Sequence, residues 1–114
     1  MKSSAVTLLL IGICFLALVN KSNAVCCVTK EELTYKMSKG ECKDVGGYGN
    51  NPQRCTVLIC ADGMAQVGMF CGRSSCNLFG CSCDGGCLEG NWSQSFVYKH
   101  SYYGIEIINV KRYL

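Results

Sequence analysis

Histidine, proline and tryptophan each occur once in this sequence of 114 residues, and the single histidine restricts the chemistry that the chain can perform. A nucleophilic triad would need His100 together with one of Asp44, Asp62 or Asp84, and no local motif supports such a grouping. Secreted phospholipases need a histidine followed directly by an aspartate, whereas Ser101 follows His100 here. We therefore predict that the protein is not an enzyme.

The sequence also lacks the ligand spacing of a zinc site. Such sites pair ligands as C-x₂₋₄-C with a second pair of the same kind or with histidines. The stretch FGCSCDGGC, residues 79–87, contains three cysteines but does not repeat in that way, and Cys76 lies five residues before the first of them. We predict neither a metal nor a cofactor.

Long apolar runs are limited to one, which extends from Ala5 to Val19. Lys2 precedes it, and a small-x-small triplet ending at Ala24 follows it, which is the layout of a secretory signal peptide. The run is shorter than the roughly 20 apolar residues that a membrane span needs. We predict that residues 1–24 are a signal peptide and that residues 25–114 form a single secreted, extracellular domain.

Strong charge of either sign is absent from that domain. Lys2 and Lys21 leave with the signal peptide, so nine basic and eight acidic side chains remain, a net charge of +1. No basic stripe is left that would attract nucleic acid, and the charge is too small for strong electrostatic binding to a membrane. We predict that neither a nucleic acid nor a membrane is its partner.

Cysteine, in contrast, is abundant. Cys14 lies in the signal peptide, and the remaining 90 residues contain ten cysteines, a density that indicates a disulfide framework in an oxidising compartment. Cys26 and Cys27 are too close to bond to each other in normal geometry, so we expect them to have two different partners. The sequence does not select one pairing. We predict that these ten residues form disulfides: Cys26, Cys27, Cys42, Cys55, Cys60, Cys71, Cys76, Cys81, Cys83 and Cys87.

Local patterns predict short elements of both kinds. Leu33, Tyr35 and Met37 alternate as in a strand, and this favours a strand over 31–38 although Thr29–Glu32 also fits a helix capping box. The stretch GGYGNNPQR, residues 46–54, predicts a mobile loop.

The next stretches predict a hairpin and an irregular segment. Residues 55–60 and 64–70 should pair as a β-hairpin around the turn Asp62-Gly63. Residues 71–90 are rich in cysteine and glycine without periodicity, which indicates a cross-linked coil.

The C-terminal part predicts a helix over 91–102, capped by Asn91 or Ser93, followed by a strand over 105–112. Asn91-Trp92-Ser93 is also a formal N-glycosylation sequon, so Asn91 is a candidate for modification.

Several of these motifs together resemble the Diedel family of small secreted insect immune proteins. The resemblance is carried by Ile59-Cys-Ala-Asp-Gly63, Gln66-Val-Gly68, Cys71-Gly72, the stretch from Ser75 to Cys87, Trp92-Ser-Gln94, Phe96-Val97 and the paired Cys26-Cys27. It implies an α+β fold: an antiparallel sheet covered by one helix, with an adjoining cysteine-rich coil subdomain. It also implies a cytokine-like factor that down-regulates the insect immune deficiency pathway and supports host survival during infection, including antiviral responses.

Two other functions fit a small disulfide-rich secreted protein. One is an antimicrobial peptide, against which the +1 charge argues because such peptides depend on cationic attraction to membranes. The other is a protease inhibitor, for which residues 44–54 are the candidate loop.

A signalling ligand needs a protein receptor, extracellular or on the cell surface, and we expect the ligand to be a monomer. For half of its tyrosines, packing in the core is as much expected as contact with a receptor. The candidate contact residues are aromatic and basic: Tyr98, Lys99, Tyr102, Tyr103, Lys111, Arg112 and Tyr113.

Overall fold

The structure, a computed structural model, describes residues 25–114. The predicted signal peptide and its cleavage site after Ala24 lie outside the described residues. The chain forms a four-stranded antiparallel sheet, one short α-helix and a cysteine-rich segment, so the predicted α+β fold is confirmed. Its elements are β1 (Lys30–Met37), β2 (Tyr48–Asn51), β3 (Arg54–Ile59), α1 (Ser93–Lys99) and β4 (Ile105–Tyr113), with 3₁₀ turns at Cys42–Val45 and Ser101–Tyr103.

Strand β1 is the centre of the sheet, whose strand order is β2-β3-β1-β4. The strand prediction for 31–38 is confirmed, because β3 and β4 pair with β1 on both sides and bury every second residue: Glu31, Leu33, Tyr35 and Met37. The capping-box alternative would have placed these four side chains around a helix instead of on one face. Burial raises the pKa of Tyr35 from its ordinary 10 to about 12.

The hydrophobic core lies between one face of the sheet and helix α1. Phe96 is the helix residue that is fully buried, and its ring meets Tyr35 edge to face at a centroid distance of 5.2 Å. Such an aromatic pair adds about 0.5–1.5 kcal/mol to the stability that burial provides. The helix is therefore fixed to the central strand through one aromatic contact.

The prediction of a loop over 46–54 is wrong for its central residues, because Tyr48–Asn51 form strand β2. This strand pairs with β3 through a tight turn, in which the side chain of Asn51 accepts a hydrogen bond of 2.9 Å from the Gln53 backbone N–H. The disulfide Cys42–Cys55 holds the segment against the core. Cross-linking and pairing thus order a sequence that local turn chemistry alone would leave irregular.

The predicted hairpin between 55–60 and 64–70 is present only next to its turn. Strand β2 pairs with β3 at Arg54 and Thr56, and beyond them Ile59 forms an isolated bridge with Ala65, while the Gln66 N–H donates to the Leu58 carbonyl at 2.8 Å. The turn itself is present, since the Gly63 N–H donates to the Cys60 carbonyl at 3.0 Å. The chain then leaves the sheet toward Cys71, which bonds to Cys60.

Residues 71–90 contain no helix or strand, in agreement with the predicted coil. The adjacent Cys26 and Cys27 bond to two different residues of this segment, Cys81 and Cys87, and Cys76 bonds to Cys83 within it. At Gly72 a Cβ atom would lie 2.6 Å from the Cys76 sulfur, so only glycine lets the backbone pass this close to a disulfide.

The predicted helix over 91–102 is shorter in the structure. The α-helix ends at Lys99, and Ser101–Tyr103 continue as a 3₁₀ turn that Gly104 closes in a left-handed conformation. The predicted side-chain caps are not formed, because Trp92 occupies the N-cap position with φ +56° and makes no capping bond. Its backbone N–H instead donates to the Ala61 carbonyl at 2.9 Å, which ties the helix start to the Asp62-Gly63 turn.

Candidate interaction surface

The tyrosines that the sequence indicated divide into surface and core residues. Tyr98 and Tyr102 are 82% and 71% exposed, whereas Tyr103 is partly buried and packs against the core. The rings of Tyr102 and Tyr103 meet edge to face at 5.1 Å, and the Lys39 ammonium lies 4.9 Å from the Tyr102 ring centre. Tyr98 is therefore an exposed aromatic side chain on α1, and Tyr103 has a packing role.

Arg112 has a structural role that its sequence position did not reveal. Its Nε donates to the Glu31 carboxylate at 3.0 Å, and its guanidinium lies 4.8 Å from the Trp92 ring centre. The Glu31 side chain is only 6% exposed. Removing the partner of a buried carboxylate leaves an uncompensated charge, so a change at Arg112 would disturb the fold as well as the surface.

Lys111, in contrast, has an exposed side chain on the opposite face of β4. Its ammonium lies 5.2 Å from the Tyr113 ring centre. Among residues 25–114, no carboxylate oxygen lies within 4.0 Å of the Lys111 or Lys99 ammonium. These two lysines are cations available to a partner.

A groove of about 570 Å³ runs between α1 and β4 and has a largely apolar lining. Val97 and Tyr98 form its helix side, and Ile105 and Ile107 form its strand side. Lys99 and Tyr98 line a depression that adjoins it along the helix. An open apolar groove that is bordered by polar and cationic side chains is typical of a protein-binding surface.

A second exposed apolar region lies in the cysteine-rich part, where sequence reasoning expected a strand or gave no surface role. Its members are each at least 73% exposed: Val67, Met69, Leu78 and Phe79. Phe70 packs beneath Gly80, where a Cβ atom would lie 2.4 Å from the ring, and this contact connects the two loops. The Asp62-Gly63 turn was the misleading signal, since the turn forms but the segment after it makes only one isolated bridge, Ile59 with Ala65.

The residues that a catalytic triad would need have local contacts. The carboxylate of Asp44 accepts a bond from the Glu41 N–H at 2.8 Å, and that of Asp62 accepts one from the Met64 N–H at 3.1 Å. Across residues 25–114 there is no group of three or more histidine, cysteine and acidic side chains that could hold a metal. In the same range no helix is long and apolar enough to cross a membrane.

Asn91, the sequon residue, is exposed. Its backbone N–H donates to the Ser95 hydroxyl at 2.8 Å, so the residue is fixed next to the first turn of α1. Its glycosylation stays a prediction.

His100 lies in an aromatic environment at the end of α1. Its ring meets Phe96 edge to face at 4.9 Å, and its Nε2 atom is buried without a hydrogen-bond partner. Burial lowers the pKa of His100 below its ordinary 6.5, and the nearby Lys99 charge lowers it further.

We expect the fold to lose stability as the pH is lowered, because of His100. The neutral ring is favoured in the folded state, so its contribution is complete above pH 6.5 and is lost as the pH falls toward the lower folded pKa. Urea unfolding at pH 7.5 and 5.0 measures this. Carboxylates also titrate in this range, so His100→Phe, which keeps the ring contacts, serves as the reference. A drop in unfolding free energy that is equal in both proteins would contradict the assignment to His100.

The chain has clear relatives among known proteins. A model of the Diedel family matches residues 26–101. The protein named Protein Diedel from Drosophila melanogaster is 53% identical over 112 residues, which cover 98% of this chain and 97% of that protein. The crystal structure of the CG11501 protein, also 53% identical, superposes with a TM-score of 0.73, and the match covers 76% of this chain and 94% of that one.

Proposed function

This chain belongs to the Diedel family, and we propose that it is a secreted, cytokine-like immunomodulator that down-regulates the insect immune deficiency pathway and supports host survival during infection. In this role it acts as an extracellular ligand of a protein receptor, as a monomer, and by binding rather than by catalysis. Neither a nucleic acid nor a membrane is part of the mechanism.

The observation that carries the proposal is the extent of the family match. The matched range, 26–101, includes all ten predicted disulfide cysteines as well as helix α1 and its exposed Tyr98. Identity of 53% supports an equivalent role, because the match extends over nearly the whole length of both chains.

The disulfide framework supports an extracellular site of action. Five bridges link the described residues, and such density is found in proteins of oxidising compartments. A small domain that is cross-linked in this way keeps one surface shape outside the cell, as a ligand requires.

The test is an extracellular reporter assay. Purified, oxidised protein is added to insect cells that carry an immune deficiency pathway reporter, and the cells are then stimulated. We expect a dose-dependent decrease in reporter output. The same protein, reduced and alkylated, is the matched control, because it has the same sequence without the bridges. Unchanged output at saturating dose of the oxidised protein would refute the proposal.

A further inference from the structure

Strand β4 has one edge that no other strand of the described residues covers. It is nine residues long, and its pairing partner is β1 alone, because the sheet ends there. An exposed edge presents unpaired backbone N–H and C=O groups, to which an extended segment of another protein can add as a further strand.

The apolar groove lies directly beside this edge. Ile105 and Ile107 project from β4 into it, and Val97 and Tyr98 face them from α1. Side chains of a strand alternate between the two faces of the sheet. A strand that is added to β4 would therefore place alternate side chains of its part beside Ile105 and Ile107 in the groove between β4 and the helix.

The charges along β4 select the partner further. Glu106 is already paired with Lys36 at 3.1 Å, whereas the Lys111 ammonium has no carboxylate within 4.0 Å in the described part of the chain, and the same holds for Lys99. The bulge at Ile108, where β4 has one residue more than β1, discourages indiscriminate pairing of this edge. The edge is thus suited to a segment that is acidic where it faces these lysines.

We infer that β4 and the groove bind an extended segment of a protein partner, with apolar residues at alternate positions and at least one acidic residue opposite Lys111. The inference deepens the proposed function, since that segment would belong to the receptor. The occupant is a peptide segment that joins the sheet, and its backbone hydrogen bonds supply affinity while the groove and Lys111 supply specificity.

The test begins with a displayed library of random linear peptides long enough to span β4, selected on the oxidised wild-type protein. We expect enriched peptides with alternating apolar residues and an acidic residue. Bound synthetic peptide should slow amide hydrogen exchange along residues 105–113. Tyr98→Ala and Lys111→Glu should each weaken peptide binding by roughly tenfold or more, because each removes one recognition element.

Matched controls come from the other edge of the sheet. Tyr48→Ala on β2 removes another exposed tyrosine, which is 59% exposed, and Arg54→Glu on β3 makes the same change of charge; both should leave peptide binding unchanged. Thermal unfolding of every variant verifies that the fold is intact. Absence of enriched peptides, or binding that Tyr98→Ala and Lys111→Glu leave intact, would overturn the inference.

Two further outcomes separate this inference from others. Self-association in sedimentation that Lys111→Glu abolishes would show that a second copy occupies the edge, which also overturns it. In the reporter assay, full activity of both Tyr98→Ala and Lys111→Glu would overturn the inference while the proposed function stands. Peptide binding by a wild-type protein that is inactive in the reporter assay would refute the proposed function and support the peptide-binding edge.

Discussion

Replacing Gly63 with alanine is expected to destabilise the protein by roughly 2–5 kcal/mol. Gly63 has φ +80°, and a Cβ atom there would lie 2.4 Å from the Phe96 backbone nitrogen and 2.6 Å from the Ser95 carbonyl carbon. The left-handed conformation costs alanine about 1–2 kcal/mol, and pushing the helix away from the turn adds about 1–3 kcal/mol. The helix cannot move away from the turn without displacing Phe96, whose buried ring contacts Tyr35.

Gly68 provides the matched control for this substitution. Its φ is +76°, nearly that of Gly63, but no atom lies within 4 Å of the Cβ position. Gly68→Ala should therefore cost only the conformational part, about 1–2 kcal/mol. Urea unfolding of the two variants measures the difference. Equal destabilisation by both substitutions would show that the contact between Gly63 and the helix does not limit stability.

Removing both bridges of the Cys26-Cys27 pair is expected to cost more than the two single removals together. The bridges Cys26–Cys81 and Cys27–Cys87 close nearly the same loop, with sequence separations of 55 and 60. While one bridge is intact, the second bridge closes only a short additional ring. Loss of that second bridge alone lowers the unfolding free energy by about 2–2.5 kcal/mol in the chain-entropy description. When both are absent, the long loop opens as well, and the total rises to about 6–7 kcal/mol.

The variants for this test are Cys26→Ala with Cys81→Ala, Cys27→Ala with Cys87→Ala, and all four substitutions together. The control combines loss of Cys26–Cys81 with loss of Cys42–Cys55, whose loop has a separation of 13 and does not duplicate the first. That combination should be nearly additive. Urea titration gives the unfolding free energies, from which the cost of each double removal is compared with the sum of the two single costs. Additive costs for the two neighbouring bridges would contradict the account.

The elements that the sequence predicted correctly are those whose own side chains carry the signal. Alternation in Leu33-Tyr35-Met37 identified β1, and the isoleucines after Gly104 identified β4. In both cases burial or pairing in the sheet acts on the same residues that show the pattern. The approximate place of α1 followed from the spacing of Trp92 and Phe96 for the same reason.

The elements that were missed depend on distant partners. Strand β2 contains glycine and asparagine, which have low strand propensity, and it forms because β3 and the Cys42–Cys55 bridge hold it. Trp92 has an unusual positive φ at the start of α1, where its N–H is bound to Ala61, far away in sequence. No local pattern reports such contacts.

The candidate surface was predictable only in part. The exposed tyrosine on α1 and Lys111 could be named from the sequence, but the groove needs α1 and β4 to lie side by side, which only the tertiary fold brings about. Arg112 resembled Lys111 in the sequence, and its partner Glu31 lies 81 residues away. Charge alone could not separate a surface cation from one that neutralises a buried carboxylate.

The pairing of β1 with β4 has a consequence for the order of folding during biosynthesis. Lys30 is opposite Tyr113, so the central strand emerges from the ribosome long before the strand that completes it. Strand β3 follows β1 closely and can pair first, but one side of β1 must wait until nearly the whole chain has been synthesised. During that interval we expect a chaperone of the secretory pathway to bind the edge of β1 that is not yet paired with β4.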